Sequence, residues 1–335
     1  VIELRKANRD DSDSIVELLG RCFPANPKAV RSVFNWQYWD NPAGECLAWM
    51  AVEDGEVVGH YAGMPVPIVA DGAALVAAVG IDAATAPSHR GRGVFDRLLA
   101  ALYDDVVAQG WSAVLAFPNE NSRRGFEKVG GVVVADFAVG AAVVDHGAVA
   151  QRFHVPGALG RAVGRLVGRF AAEGEGREVH DISPAVERLW EEVTARTALG
   201  LRRDPAWQHW RYRMAPVPYR FFELGDGSEV RAFCITSRRS LGGLDAVTVL
   251  DLAFADPSDG ASLLRHVKSV AGPAAVMVLS APPDDPVWTA ARAGGLRRLP
   301  ERRLPEQIHF GVARPQLAGL EQPTWALPWG VLDHL

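Results

Sequence analysis

The chain has 335 residues, 48% of them hydrophobic and 22% charged, with a net charge of −5 and a pI near 6.0. That length exceeds one ordinary domain and suits two, while the acidic balance argues against nucleic acid as the main partner. Cys22, Cys46 and Cys234 are scattered, which excludes a disulfide framework and a thiolate zinc site; no apolar run spans a membrane and Val1-Ile2-Glu3-Leu4 enters a strand at once, so no metal, no leader and a cytoplasmic location are expected.

In chain order, Ile2 to Ala7 reads as a short strand, and Asp10-Asp11-Ser12-Asp13 offers the cap and acidic first turn of a helix through Ile15, Leu18 and Leu19. A second helix carries Val30, Val33, Phe34, Trp36, Gln37 and Trp39 before Asn41-Pro42-Ala43-Gly44 breaks it. Residues 47–85 alternate through two hairpins, with turns at 53–56 and 70–72. The last of these strands, 73–85, meets the turn Arg90-Gly91-Arg92-Gly93 and then a helix to Ala108, with Val94, Leu98, Leu99, Leu102 and Val106 on one side. The first turn of a helix has unpartnered N–H groups and a partial positive charge, and glycine lets an anion approach the backbone, so a pyrophosphate suits this turn. Neither a P-loop nor Gly-x-Gly-x-x-Gly is present.

The strand Trp111-Ser112-Ala113-Val114-Leu115-Ala116-Phe117-Pro118-Asn119 follows, then Ser122, then Phe126-Glu127-Lys128-Val129-Gly130, and residues 131–145 read as one more strand. Residues 157–176 form a helical stretch with Arg161, Arg165 and Arg169 four apart, read as a linker helix. The order then begins again: a strand at 179–182, a helix at Ser183-Pro184, and Trp207-Gln208-His209-Trp210 echoing Trp36-Gln37-Tyr38-Trp39 at a shift of 171 residues. Three strands, a helix over 262–271, a strand, a helix over 286–293 and closing strands complete it. Between Phe254 and Leu263 there is no arginine-glycine turn, so this second copy lacks the pyrophosphate site.

The turn with its flanking strand and helix, Phe117-Pro118-Asn119 with Ser122, and the segment 126–130 resemble the acyl-CoA-binding core of the GNAT superfamily of N-acyltransferases. The two-part plan, with Trp36 to Gly44 and Trp325 to Asp333, resembles its tandem members that act on amino sugars, on nucleotide sugars or on glycosylated antibiotics, as in antibiotic biosynthesis. The resemblance implies an α/β fold of the α+β mixed-sheet kind: two GNAT-like domains, each a mostly antiparallel sheet with helices on both faces, the second degenerate. The expected units are residues 1–145 binding acyl-CoA, a linker over 146–177, and 178–335 as substrate wall or scaffold. It further implies transfer of an acetyl or longer acyl group from acyl-CoA to a small-molecule amine, by a monomer or homodimer. The alternatives are acetylation of another amine (aminoglycoside, polyamine or amino-acid conjugate) and a non-catalytic acyl-CoA sensor.

The resemblance places the donor site at Arg90, Gly91, Arg92, Gly93 and Val94, with Phe95 where Gly or Ala is usual. The backbone at Ala84 or Thr85 would hold the thioester oxygen, and Asn119 and Ser122 would bond pantetheine or cap the next helix. Many members protonate the departing thiolate with a tyrosine at the position of Phe126, which has no proton to give. An amino-sugar ammonium needs a base. Asp82 is the first candidate, His60 on the third strand the second, and His209 a candidate for orienting substrate.

Overall fold

The computed structural model describes residues 1–24, 30–168, 172–303 and 307–331. Of the segments singled out above, Arg165 and Arg169 have side chains outside the described residues, as does the end of the Trp325 to Asp333 stretch. Among the described residues no helix is long and apolar enough to cross a membrane.

The first half runs β1 (Glu3–Lys6), α1 (Ser12–Cys22), α2 (Arg31–Trp39), β2 (Leu47–Glu53), β3 (Glu56–Ala70), β4 (Ala73–Thr85), α3 (Val94–Ala108), β5 (Val114–Ala116), α4 (Glu120–Lys128), β6 (Val132–Asp136) and β7 (Ala138–Val143). Helices α5 (His146–Arg152) and α6 (Gly157–Gly168) follow. The second half runs β8 (Arg177–Val179), α7 (Pro184–Ala195), β9 (Leu199–Leu201), α8 (Pro205–Gln208) continued by a wide turn over His209–Arg213, β10 (Arg220–Gly225), β11 (Val230–Leu241), β12 (Leu244–Phe254), α9 (Pro257–Ser269), β13 (Val276–Ala281), α10 (Val287–Ala293), β14 (Arg297–Arg298) and β15 (His309–Ala313).

These strands form two mixed sheets, ordered β1-β2-β3-β4-β5-β15-β6, with β9 on the end of β3, and β14-β7-β13-β12-β11-β10-β8. The expected α/β architecture of two sheets with helices is therefore present. The single strand expected over 131–145 is instead two: buried Phe137 breaks it, β6 stays in the first sheet, and β7 pairs with β13 in the second. Reciprocally, β15 leaves the second half and lies between β5 and β6. The two halves exchange strands.

The first sheet is two-faced because side chains alternate along a strand. On one side, a Cβ added at Gly59 or Gly63 would meet Val94, Leu98 or Leu102 of α3, whose apolar stripe is buried. Fully burying each such leucine contributes about 1.5–3 kcal/mol relative to exposure. On the other side, His60 meets Tyr38 of α2 at 5.8 Å between rings, and Met64 meets Gln37.

The halves are also clasped by tryptophans. Trp36 and Trp210 stack with ring centroids 4.9 Å apart, and each indole N–H donates to the other's carbonyl at 3.1 Å. A reciprocal contact of this kind matches equivalent positions of a twofold arrangement, here 174 residues apart. The sequence echo pairs Trp36 with Trp207 instead, because tryptophans at i and i+3 in both segments let the alignment slip by one helical turn.

Candidate active site

Between β4 and β5 the parallel pairing consists of Ala78 with Val114 and Val79 with Leu115. Beyond those pairs the strands diverge and leave a cleft of about 680 Å³, lined among others by Asp82, Thr85, Arg90, Phe117, Asn119 and Phe126. At its outer end, Gly91 and Gly93 sit at φ 76° and 70°, the left-handed region that glycine enters without a Cβ penalty. Among the described residues, chain neighbours aside, no atom lies within 4 Å of where a Cβ would stand on either one. Gly93 is followed directly by α3, so the helix's unpartnered N–H groups open onto that space.

The turn is anchored from one side. Arg92 forms a two-point bond to Glu53 at 2.8 and 3.0 Å, and His89 reaches the same carboxylate at 2.8 Å. Bonding by Arg92 and then by His89 holds the Glu53 carboxyl at about 2, well below its ordinary 4.5. Arg90, by contrast, makes one long bond of 3.4 Å to Thr85 O and is exposed. Open space over two glycines, a helix N-terminus and an exposed arginine fit a pyrophosphate, and the divergent strands fit the narrow arm behind it.

Deeper in, β4 carries a bulge: His60 pairs with Ala84 and Ala62 with Ile81, leaving Asp82 and Ala83 opposite Tyr61. Asp82 lies at φ 54°, a strained backbone worth about 1–2 kcal/mol for a residue other than glycine. The bulge turns its carboxylate to Tyr38, whose hydroxyl donates at 2.8 Å. Its carbonyl accepts from His60 Nδ1 at 3.0 Å, so the proton sits on Nδ1, and Nε2 is a buried acceptor with no partner among the described residues. Burial pushes the His60 pKa down and keeps the ring neutral; Tyr38, also buried and beside Asp82, is pushed up and stays a donor.

Asp82 and His60 thus come together, but His60 is fully buried behind β4 and only Asp82 lines the cleft. His209 is brought to neither; it pairs with Glu187 at 2.9 Å in the second half. Ala86 N–H donates to Val58 O, so alternation along β4 puts the N–H of Ala84 on that ladder too and leaves the N–H of Thr85 facing the cleft. Asn119 and Ser122 cap α4 reciprocally, Ser122 N to Asn119 Oδ1 at 3.1 Å and Asn119 N to Ser122 Oγ at 3.0 Å, while both face the cleft. Val94 is buried beneath the turn. Phe95 packs edge-on against Tyr61 at 6.3 Å and over Gly125. The tip of the Phe126 ring points at the backbones of Gly131 and Gly311, where an added Cβ would overlap it.

Sequence reasoning missed four of these side chains. Tyr38 reads as helix core and Glu53 as a hairpin-turn residue. Tyr61 and Tyr103 face each other across 6.4 Å on the α3 side and line the cleft, burial pushing both phenols up, Tyr61 to about 12. The one available signal was Gly80, where a Cβ would overlap the Tyr61 hydroxyl.

Residues 3–130 match the family model of the acetyltransferase (GNAT) domain. A GCN5-related N-acetyltransferase from Anabaena variabilis has a similar structure, with a TM-score of 0.67 at 13% identity over 93% of this chain and 72% of that one. A conserved protein from Enterococcus faecalis described as a probable N-acyltransferase gives 0.65 at 12%, covering 94% and 73%. A GCN5-related N-acetyltransferase from Kribbella flavida gives 0.62 at 14%, covering 93% and 70%. No curated protein matches the sequence.

Proposed function

We propose, from the premise that residues 3–130 are a GNAT acetyltransferase domain, that the chain transfers an acyl group from acyl-CoA to the nitrogen of a small-molecule amine. The observation that carries this reading is the Asp82 carboxylate, held by Tyr38 at a strained bulge beside the cleft. Gly91, Gly93 and the start of α3 would hold the pyrophosphate, with Arg90 beside it, and the splayed edges of β4 and β5 the pantetheine arm. Bound in this way, acyl-CoA supplies an acyl thioester. The Thr85 N–H donates to the thioester oxygen, and charge building there strengthens that bond.

Asp82 takes a proton from the acceptor ammonium, directly or through water, so that the nitrogen lone pair attacks. The C–N bond forms as the C–S bond breaks, its electron pair leaving on sulfur, and the second proton shed by the new amide nitrogen passes through water to the thiolate. Phe126 supplies no proton. His60 acts on the site through the Asp82 carbonyl, fixing the bulge.

Within this class we place the acceptor among amino sugars or amino-sugar-bearing natural products, with acetyl-CoA or a longer acyl-CoA as donor. Support for the narrower reading is the two-part plan and the aromatic Phe95 at the cleft. The second half serves as substrate wall or scaffold. Among the described residues Cys22, Cys46 and Cys234 form no disulfide, which accords with a reducing cytoplasm. The test is thiol release from acetyl-CoA and longer acyl-CoAs over a panel of amino sugars, aminoglycosides and polyamines. Acceptor-dependent release that Asp82→Asn suppresses supports the reading; CoA binding with no release on any amine refutes it.

A further inference from the structure

The second half contains a cavity of its own, about 500 Å³, in the place that corresponds to the donor cleft. It opens where parallel strands β12 and β13 diverge after Val249 and Leu279, as β4 and β5 diverge after Val79 and Leu115. At its mouth stand Arg196 and Thr197. Cys22 and Phe23 stand at the mouth of the first cleft, at the same separation of 174 residues that links the clasped tryptophans. The duplicated fold has therefore kept the slot while losing the turn that served it.

What remains at the entrance disfavours phosphate. α9 starts with Pro257, which has no N–H, and its cap Asp256 takes the N–H of Ser258 at 2.8 Å. Asp259 in the first turn is paired with Arg231 at 3.1 Å, which leaves Asp256 as the carboxylate at the helix start. A polyanion such as CoA would face like charge there.

Inside, the walls are apolar, from Val193, Val249, Leu252, Leu279 and Val287. The floor is polar. Arg203 and Asp251, exposed by only 8% and 3%, form a two-point ion pair at 2.8 and 3.1 Å that neutralises both charges. Arg196 is spent on the carbonyls of Phe254 and Ala255. Asp285 and Asp284 also line the cavity, and among the described residues neither has an ion-pair partner. Asp285 Oδ1 accepts the Val287 N–H at 2.8 Å, which fixes the carboxyl at the cavity edge.

We infer that this cavity binds a small apolar molecule carrying an ammonium group, with its chain against the aliphatic walls and its cation at Asp285 and Asp284. The volume is that of a small-molecule site, and among its lining side chains the carboxylates of Asp251, Asp284 and Asp285 outnumber the guanidiniums of Arg196 and Arg203. Burial raises the Asp285 pKa to about 6 against the pull of the Val287 N–H and of Arg203, and a bound cation would favour the charged form that burial disfavours. The inference does not depend on the acyltransferase reading.

The test is calorimetric titration of the full chain with n-hexylamine and, as a control of opposite charge, n-hexanoate, well above the Asp285 pKa. Hexylamine should bind saturably and hexanoate should not. Asp285→Asn, which keeps an oxygen for Val287, should weaken hexylamine by about tenfold or more, the scale of a lost charged hydrogen bond. The exposed Asp284→Asn, which carries little risk to folding, should weaken it by a smaller measurable factor. Asp82→Asn and Gly93→Asp should leave the affinity unchanged, which separates this site from the acceptor and donor sites. Equal binding of hexanoate, no saturable binding, full affinity in both Asp284→Asn and Asp285→Asn, or loss of binding in Asp82→Asn would each overturn the inference.

Discussion

Gly93→Asp tests the anion site most directly. Gly93 is exposed at φ 70°, with no atom near its missing Cβ, so a new side chain meets no steric obstacle. The left-handed backbone costs a non-glycine residue about 1–2 kcal/mol, which Gly93→Ala measures by itself. The aspartate adds one negative charge at the mouth of a site for a pyrophosphate that carries about two. At about 5 Å, with the high effective dielectric of an exposed turn, that repulsion is about 2–3 kcal/mol, or about 30- to 150-fold in affinity. Calorimetric titration with CoA should show that loss in Gly93→Asp and a change within about threefold in Gly93→Ala, since the helix N–H groups are kept. Similar melting temperatures of the two variants would tie the difference to the site. Near-equal CoA affinity of both would mean that the pyrophosphate does not sit at this turn.

Asp82→Asn should lower kcat by about 100- to 10,000-fold, the range for removal of a general base; the amide oxygen can still accept from Tyr38, so the melting temperature should hold, and a full-rate enzyme would leave the carboxylate a structural role. Glu53→Gln should loosen the turn over residues 90–93 in a pH-dependent way. Because the folded-state pKa of Glu53 is depressed to about 2 from 4.5, its contribution is full above 4.5 and fades as pH falls toward 2; the melting-point gap between wild type and variant should therefore hold steady down to about 4.5 and narrow below it, and a gap independent of pH would contradict the tether. Trp36→Ala should cost about 3–5 kcal/mol in urea unfolding, and combined with Trp210→Ala the losses should fall short of additive by about 1–3 kcal/mol. Phe126→Tyr should leave the rate unraised and cost about 1–3 kcal/mol, because the new hydroxyl has only the backbones of Gly131 and Gly311 to meet.

The strand, turn and helix from Ala73 to Ala108 were legible because their signals are local: alternation, positive-φ glycines and a helical apolar stripe. The exchange of β7 and β15 was not, since alternation tells which side of a strand is buried but not which strand lies beside it. Phe137 illustrates this: within an apolar run it looks like any strand residue, yet it is where the chain leaves one sheet for the other. Asp82 was read from its place on the strand, whereas the bulge that aims it depends on the offset between β3 and β4. Tyr38 and Glu53 act over 44 and 39 residues of chain, distances at which a single sequence carries no pairing signal.

The exchanged strands explain how the half that lacks an arginine-glycine turn still shapes the cleft. β5 has three residues and meets β4 at two pairs, too little to stand as an edge. It is held from the other side by β15, whose Gly311, Val312 and Ala313 pair with Ala116, Leu115 and Val114. Phe310 of the same strand stacks on Phe117 of the cleft wall at 5.3 Å, and Phe137 packs edge-on against Phe117 at 5.7 Å. Without residues 307–313 the strand that diverges from β4 would lose its outer neighbour, and the divergence that makes the cleft would lose its support. β7 binds the second sheet in the same way through six pairs with β13. The cleft's width is thus set jointly by both halves, whether or not the second half touches an acceptor.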